Sequence, residues 1–450
     1  MSTAETIAAL ATPSGESAIA LIRVSGPGAL ALAVEVLGVA PTPRHAARAD
    51  LRARDGVLLD DVVATFFPEP NSYTGEDVLE ISGHGNPMIA RRILDDLFAR
   101  GCRPAEPGEF TRRAFLNGRM DLSQAEAVMD LIRARGDRAI EAANRQLRGA
   151  LGRKVAELTD ALLGAIARAE AYIDFPEEDL PHEDRRALRV SIEAVLRPLL
   201  SLLATGRYGE LLRAGVRTVL AGETNAGKSS LLNRLLGWER AIVSPSPGTT
   251  RDFLEEPRIL GGHCIRLIDT AGLNPLPDEI EAMGIARTIE LAVAADLVLL
   301  VVDSTLPFPA LNEPLRAALH RGNAILVWNK SDLAGPGAPP APLDLLRSVS
   351  VCAIDGTGMP DLEAAVLAVV ESHRMDPGPE FIVVNARHAH DLGVCRDSLQ
   401  VALAKLETGQ ADELLAADLR VALDALGRIG GKVDNERMLD KLFAEFCIGK

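Results

Sequence analysis

Gly222-Glu223-Thr224-Asn225-Ala226-Gly227-Lys228-Ser229 decides the reading of this chain. It follows an apolar, strand-like run, Val216 to Ala221, and opens a helix-like run, Ser230 to Gly237. Glycine, four residues, then Gly-Lys-Ser is the pattern of a phosphate loop. Successive backbone N–H groups must point inward to cradle phosphates, and glycine lets the chain curl that tightly. The helix N-terminus adds partial positive charge. Lys228 is then expected at the β- and γ-phosphates and the Ser229 hydroxyl on Mg²⁺.

Further stretches downstream extend the pattern. Asp269-Thr270-Ala271-Gly272 ends the apolar run Cys264 to Ile268, as the second half of a nucleotide switch does. Asn329-Lys330-Ser331-Asp332 ends the run Ala324 to Trp328. An Asn-Lys-x-Asp carboxylate accepts two hydrogen bonds from guanine N1 and its 2-amino group, which adenine does not offer. Cys352-Ala353 follows another short apolar run, where the Ala353 N–H is expected to meet guanine O6. Pro247-Gly248-Thr249-Thr250-Arg251-Asp252 offers a switch threonine for Mg²⁺. GTP contacts are therefore expected from Asn225, Ala226, Gly227, Lys228, Ser229 and Ser230, and from Ser244, Pro245, Ser246, Pro247, Gly248, Thr249 and Thr250. Asp269, Thr270, Ala271 and Gly272, with Asn329, Lys330, Asp332, Cys352 and Ala353, complete the set.

The 450 residues predict two or three domains, and a formal charge of −15 argues against broad, non-specific nucleic-acid binding. A local basic patch is compatible with that charge, and Arg91, Arg92, Arg100, Arg103, Arg112, Arg113 and Arg119 are one candidate. The five cysteines are scattered without metal spacing, and their odd number argues against a disulfide framework. With no signal peptide and no long apolar span, a soluble, cytoplasmic protein in a reducing compartment is expected.

Around the nucleotide segment, residues 1–118 read as an α+β domain. Ala18 to Val24, Val62 to Phe67 and Val78 to Ser82 are strand-like, and Pro87 to Arg100 has helical spacing. Ala-, Leu-, Glu- and Arg-rich sequence over 119–212 predicts long helices. Residues 213–375 alternate strand and helix, as a mostly parallel sheet requires. Residues 376–450 are helical again. The expected architecture is multidomain: an α+β N-terminal domain and a discontinuous helical domain, with an α/β P-loop GTPase domain inserted into it.

The GTPase segment lacks two usual parts. Leu273 stands where many small GTPases carry a water-orienting glutamine. Asp278, Glu279 and Glu281 offer carboxylates nearby, either for that task or as an ordinary acidic first helical turn. Apart from Arg251, no switch-loop arginine offers itself as a finger. Asn225 either shapes its loop or helps hold a monovalent cation with oxygens from the segment 244–249. Phe446-Cys447-Ile448-Gly449-Lys450 is either a plain helix end or a cysteine and lysine delivered into a site.

These residues together resemble the MnmE (TrmE) family of bacterial tRNA-modification GTPases. The likeness includes Ala11-Thr12-Pro13, the loop Asn71 to Asp77 with Leu79-Glu80, and Pro107-Gly108-Glu109-Phe110. It continues through Arg113 to Asn117, Asp121 to Ala127, Ile173 to Glu178 and the C-terminal Phe446 to Lys450. The resemblance implies a GTPase activated when two G domains dimerise around K⁺, held by Asn225, Ser244, Ser246 and Thr249. It implies Mg²⁺ on Ser229 and Thr250, and Glu281 as the catalytic glutamate. It further implies modification of carbon 5 of the tRNA wobble uridine to an aminomethyl or carboxymethylaminomethyl group. The work would be shared with an FAD-containing partner, MnmG (GidA), in a heterotetramer built on a homodimer, with no membrane involved. A 5-formyltetrahydrofolate-type donor would lie against Arg23, Glu80, Arg119 and Lys450, and Cys447 would be a functional thiol. Arg119 departs from the family's frequent lysine, and Cys352 from its usual serine. The rival class is a GTP-switched RNA or ribosome assembly factor, which needs neither folate nor a thiol.

Overall fold

The computed structural model of the chain describes residues 5–174, 182–237, 239–240, 255–268, 289–374, 382–431 and 436–449. The chain divides into two compact units, residues 1–129 with 427–450, and residues 130–426. The finer division expected at 118, 212 and 375 remains a proposal.

In the first unit, six strands are β1 (Ile7–Leu10), β2 (Ile19–Ser25), β3 (Ala46–Arg52), β4 (Leu58–Phe67), β5 (Val78–His84) and β6 (Arg103–Pro104). They form one sheet in the order β3-β4-β5-β2-β1-β6. β2, β4 and β5 were legible because their residues alternate buried and exposed. β1 is too short to show a period, and β3 is a polar edge strand with most of its residues outside the core. Helices Ala29–Leu37 and Pro87–Ala99 cover one face, where Ile22, Val24, Val62, Ile81, Leu32 and Ile93 make the core. The second helix starts where the Asn86 side chain accepts from the Met88 N–H at 2.8 Å, a cap worth about 1 kcal/mol. On the opposite face Ile7 and Ala9 pack with Phe110 of helix Glu109–Leu116.

The chain terminus belongs to this unit. Phe443 and Phe446 bury against Leu122, Ala125 and Met129. Gly449 then crosses β1 so closely that a Cβ on it would lie 2.4 Å from the Leu10 carbonyl, and its φ of +93° suits only glycine. The tail is thus an ordered element rather than a frayed end.

In the second unit, seven strands are β7 (Val216–Ala221), β8 (Glu239–Arg240), β9 (Glu255–Leu260), β10 (His263–Ile268), β11 (Leu297–Asp303), β12 (Ala324–Asn329) and β13 (Arg347–Ser350). The order is β13-β12-β11-β7-β10-β9-β8, parallel from β13 to β10 and antiparallel beyond. Every residue of β11 and β12 is buried. That is the continuous apolar run of a strand covered on both faces. Long helices flank the sheet in sequence. Helices Ala150–Asp174 and His182–Ala204 precede it, Ala386–Thr408 and Asp412–Gly430 follow it, and His182–Ala204 packs on Ala386–Thr408. The segments before and after the sheet therefore share one helical layer, as insertion requires. Among the described residues, no helix is long and apolar enough to cross a membrane.

Candidate nucleotide site and a second polar site at the chain terminus

The strand β7 ends at Ala221, and six residues separate it from the helix Lys228–Leu235. Between them Asn225 takes φ +64° and Gly227 φ +90°. A Cβ on Gly227 would lie 2.1 Å from Asn329 Nδ2, so the loop closes onto the base-reading motif only with glycine there. Lys228 Nζ donates to the carbonyls of Gly222 and Glu223 at 2.8 and 2.7 Å, which curls the lysine over the loop. Ser229 and Ser230 are exposed in the first helical turn, and Asn225 is exposed in the loop.

Asn329 lies at the end of β12, buried and only 2 % exposed. Its Nδ2 donates to the Ala226 carbonyl at 2.9 Å and its Oδ1 accepts from the Ala353 N–H at 3.1 Å. One side chain thus joins the phosphate loop to the loop after β13. The Ala353 N–H was expected to face guanine O6; here its bond is to Asn329. Lys330, at φ +63°, donates to Asp303 at the end of β11. The hydrogen bond from Lys330 and those from Thr305 hold the Asp303 carboxyl down at about 2. Asp332 is exposed. The Asp355 backbone N–H pulls the Cys352 thiol down, but burial and the carboxylates of Asp332 and Asp355 leave it raised overall.

The expected residues Ser244, Pro245, Ser246, Pro247, Gly248, Thr249 and Thr250 lie outside the described residues. So do Asp269, Thr270, Ala271, Gly272, Glu281 and Lys450.

The second polar site sits on the sheet of the first unit. Register places Arg23 of β2 opposite Glu80 of β5. Arg23 Nε and Nη2 both donate to Glu80 Oε1, at 2.9 and 2.7 Å, and Nη1 donates to the Gly449 carbonyl at 3.2 Å. The guanidinium lies 5.2 Å from the Tyr73 ring centre and 5.8 Å from that of Phe110, within cation–π reach. Burial raises the Tyr73 phenol, against a hydrogen bond with Thr111. Cys447 and Ile448 are exposed on the tail. Arg119 is exposed, with its stem beside Gly75.

The arginine run 91–119 is not a basic patch. Arg100 is paired with Asp96 and Glu35, and Arg103 with Glu5 and Glu109. Arg113 is paired with Glu76 and Glu109, and Arg112 with Asp440. Arg91 has only its own helix neighbour, Asp95, at 3.8 Å. Sequence shows seven cations in a row of turns and helices; folding brings carboxylates from distant helices and loops to four of them. Burial works to lift the Glu109 carboxyl, but the hydrogen bonds from Arg103, the Glu106 N–H and Arg113 leave it lowered.

Comparison with known proteins bears on both sites at once. A profile described as the MnmE helical domain matches residues 122–447, and one described as GTP-binding protein TrmE N-terminus matches residues 6–119. The "tRNA modification GTPase MnmE" of Opitutus terrae is 54% identical over 447 residues, 99% of each chain. The chain belongs to the MnmE family. The protein of the same name from Akkermansia muciniphila is 44% identical, again over 99% of each chain. A solved structure, the G domain of the T. maritima FeoB iron transporter, is 27% identical over 34% of this chain and 98% of that one, with a TM-score of 0.23.

As an MnmE-family member the chain is a P-loop, GTP-binding hydrolase. Sequence reasoning missed two residues in its nucleotide site. Asp303 anchors Lys330, and its signal was an acid closing the apolar run Leu297 to Val302. Arg234, in the last turn of the phosphate-loop helix, donates to the carbonyls of Ala353 (3.3 Å) and Ile354. It carried no signal, because the loop it holds is 119 residues away.

Proposed function

We propose that this chain couples potassium-activated GTP hydrolysis to modification of carbon 5 of the tRNA wobble uridine. It acts with the FAD-containing partner MnmG (GidA), as a homodimer within a heterotetramer. A 5-formyltetrahydrofolate-type molecule is the one-carbon donor. The observation that carries the reading is the Arg23–Glu80 pair with the Gly449 carbonyl drawn onto it. A GTP switch alone has no use for an ordered terminus clamped to a distant sheet.

The donor set fits a folate. Glu80 presents a partly exposed carboxylate, suited to a row of pterin donors, and the Arg23 it pairs with lies over the Tyr73 ring. Arg23, Arg119 and Lys450 offer positive charge for an anionic tail. When bound, the folate supplies the one-carbon unit. Cys447, exposed beside this site, is the thiol proposed to serve the chemistry. In the G domain, Lys228 and the loop N–H groups orient the phosphates, and Ser229 with Thr250 would hold Mg²⁺. Asn225, Ser244, Ser246 and Thr249 would hold K⁺, whose charge offsets that developing at the leaving phosphate. Glu281 orients the attacking water, the role Leu273 cannot take.

Mass spectrometry of wobble nucleosides in tRNA from cells lacking the gene tests the reading. Loss of the modified uridine is expected. Full retention of it would leave a GTP-switched RNA-binding factor instead.

A further inference from the structure

Within a chain of net charge −15, residues 133–154 carry seven basic residues against two acids. They form the end of helix Leu122–Arg133, the helix Asp137–Leu147 and the start of helix Ala150–Asp174, all but the first lying wholly in the second unit. Arg138 and Arg145 share Glu141, at 3.4 and 2.8 Å, which fixes them on one stripe of the helix. Arg148 follows one turn further on, and Arg153 folds back to donate to the Arg148 carbonyl at 2.7 Å. Arg133, Arg135, Arg148 and Arg153 are exposed, and Arg138 and Arg145 are 39% and 38% exposed. These six arginines stand against two carboxylates, Asp137 and Glu141, on their own stretch.

We infer that this arginine strip is a docking surface for the phosphate backbone of tRNA. The inference rests on tRNA being the substrate, as the family reading has it. Two features favour RNA over an acidic protein. Guanidinium groups strung along one helix stripe meet phosphates as forked donors. The strip also lacks the apolar centre of a protein interface, since Ile140 is its one large exposed apolar residue among the described residues 133–154. The same helix is tied to the G-domain sheet. The Arg138 N–H donates to the Gly262 carbonyl at 3.1 Å, at the tip of the β9–β10 hairpin, and Ala142 packs in one cluster with Leu260 and Ile265. RNA held here would therefore bear on the strand pair that leads into both switch segments.

The test is anisotropy of a labelled tRNA transcript with the full-length chain over a salt series. The triple variant Arg145→Glu, Arg148→Glu, Arg153→Glu should bind at least about tenfold more weakly, with a salt slope shallower by about two to three. Its GTP hydrolysis should match wild type. Arg→Gln at the three positions is the milder variant should the reversal unfold the chain, and Arg→Lys should retain most binding. Unchanged affinity and slope in the Gln variant would overturn the strip. So would intact tRNA binding with lost assembly with the flavoprotein, which would make the strip a protein interface. A wild-type chain that binds no tRNA would remove the substrate reading itself, and the strip with it.

Discussion

The side-chain amide of Asn329 donates to the carbonyl of Ala226 at 2.9 Å, so the base-reading strand end and the phosphate loop are one hydrogen-bonded body. Its other end takes the Ala353 N–H, and the side chain is buried. Asn329→Ala should leave two buried backbone groups without this partner, at a cost of about 1–3 kcal/mol. GDP affinity should fall about tenfold or more, since about 1.4 kcal/mol is a factor of ten. Isothermal calorimetry and thermal melting check both, and a variant that melts early but binds GDP normally would confine Asn329 to the fold.

Asp303 anchors Lys330. Asp303→Asn should speed GDP dissociation while leaving hydrolysis at saturating GTP near wild type, because the pair stands at the base end and not at the γ-phosphate. Stopped-flow release of a fluorescent GDP measures it. The folded Asp303 value of about 2 lies below the ordinary carboxylate value of about 3.9, so the contribution is present above pH ~4 and disappears as pH falls toward 2.

GTP hydrolysis should be much faster in K⁺ than in Na⁺ at equal ionic strength, and Glu281→Ala should lower kcat by about 10² or more with little change in nucleotide affinity. Equal rates in the two salts would take the cation out of the mechanism. A near wild-type rate in the variant would return the water-orienting role to Asp278, Glu279 or a partner.

Glu80→Ala should weaken folate binding by about 1.5–3 kcal/mol, the range for a hydrogen bond to a charged group. Deleting Cys447 to Lys450 should abolish tRNA modification and spare GTP binding, because the tail packs in the first unit. Calorimetry showing equal folate affinity in wild type and both variants would leave the Arg23–Glu80 clamp a purely structural one.

His84 Nδ1 lies 2.7 Å from Asp60 Oδ1, and the hydrogen bond to Asp60 raises the imidazole above its ordinary value. A raised folded value means the pair's contribution is complete below about pH 6.5 and is lost as pH climbs through the folded value. NMR titration should place His84 above a free histidine, and Asp60→Asn should bring it back. An unshifted His84 in wild type would show the contact to be absent in solution.

The phosphate loop and the base-reading strand end were legible from residues alone because their requirements are local. A phosphate loop needs glycines at set spacing between a strand and a helix, and each base-reading motif must end an apolar run, so chain order records the site. The long helices and the α+β start were equally plain in composition and period. Polar β3 and four-residue β1 were not, since an edge strand and a very short one bury too little to leave a pattern. What the sequence could not rank was pairing. Seven arginines between 91 and 119 look alike on paper, and only the packing of distant helices and loops decided which of them found long-range carboxylates. The same holds for Arg23, whose partners lie 57 residues away at Glu80 and 426 away at Gly449. Electrostatic pairing depends on distance in space, and β-sheet register with a glycine crossing sets that distance where no local spacing can.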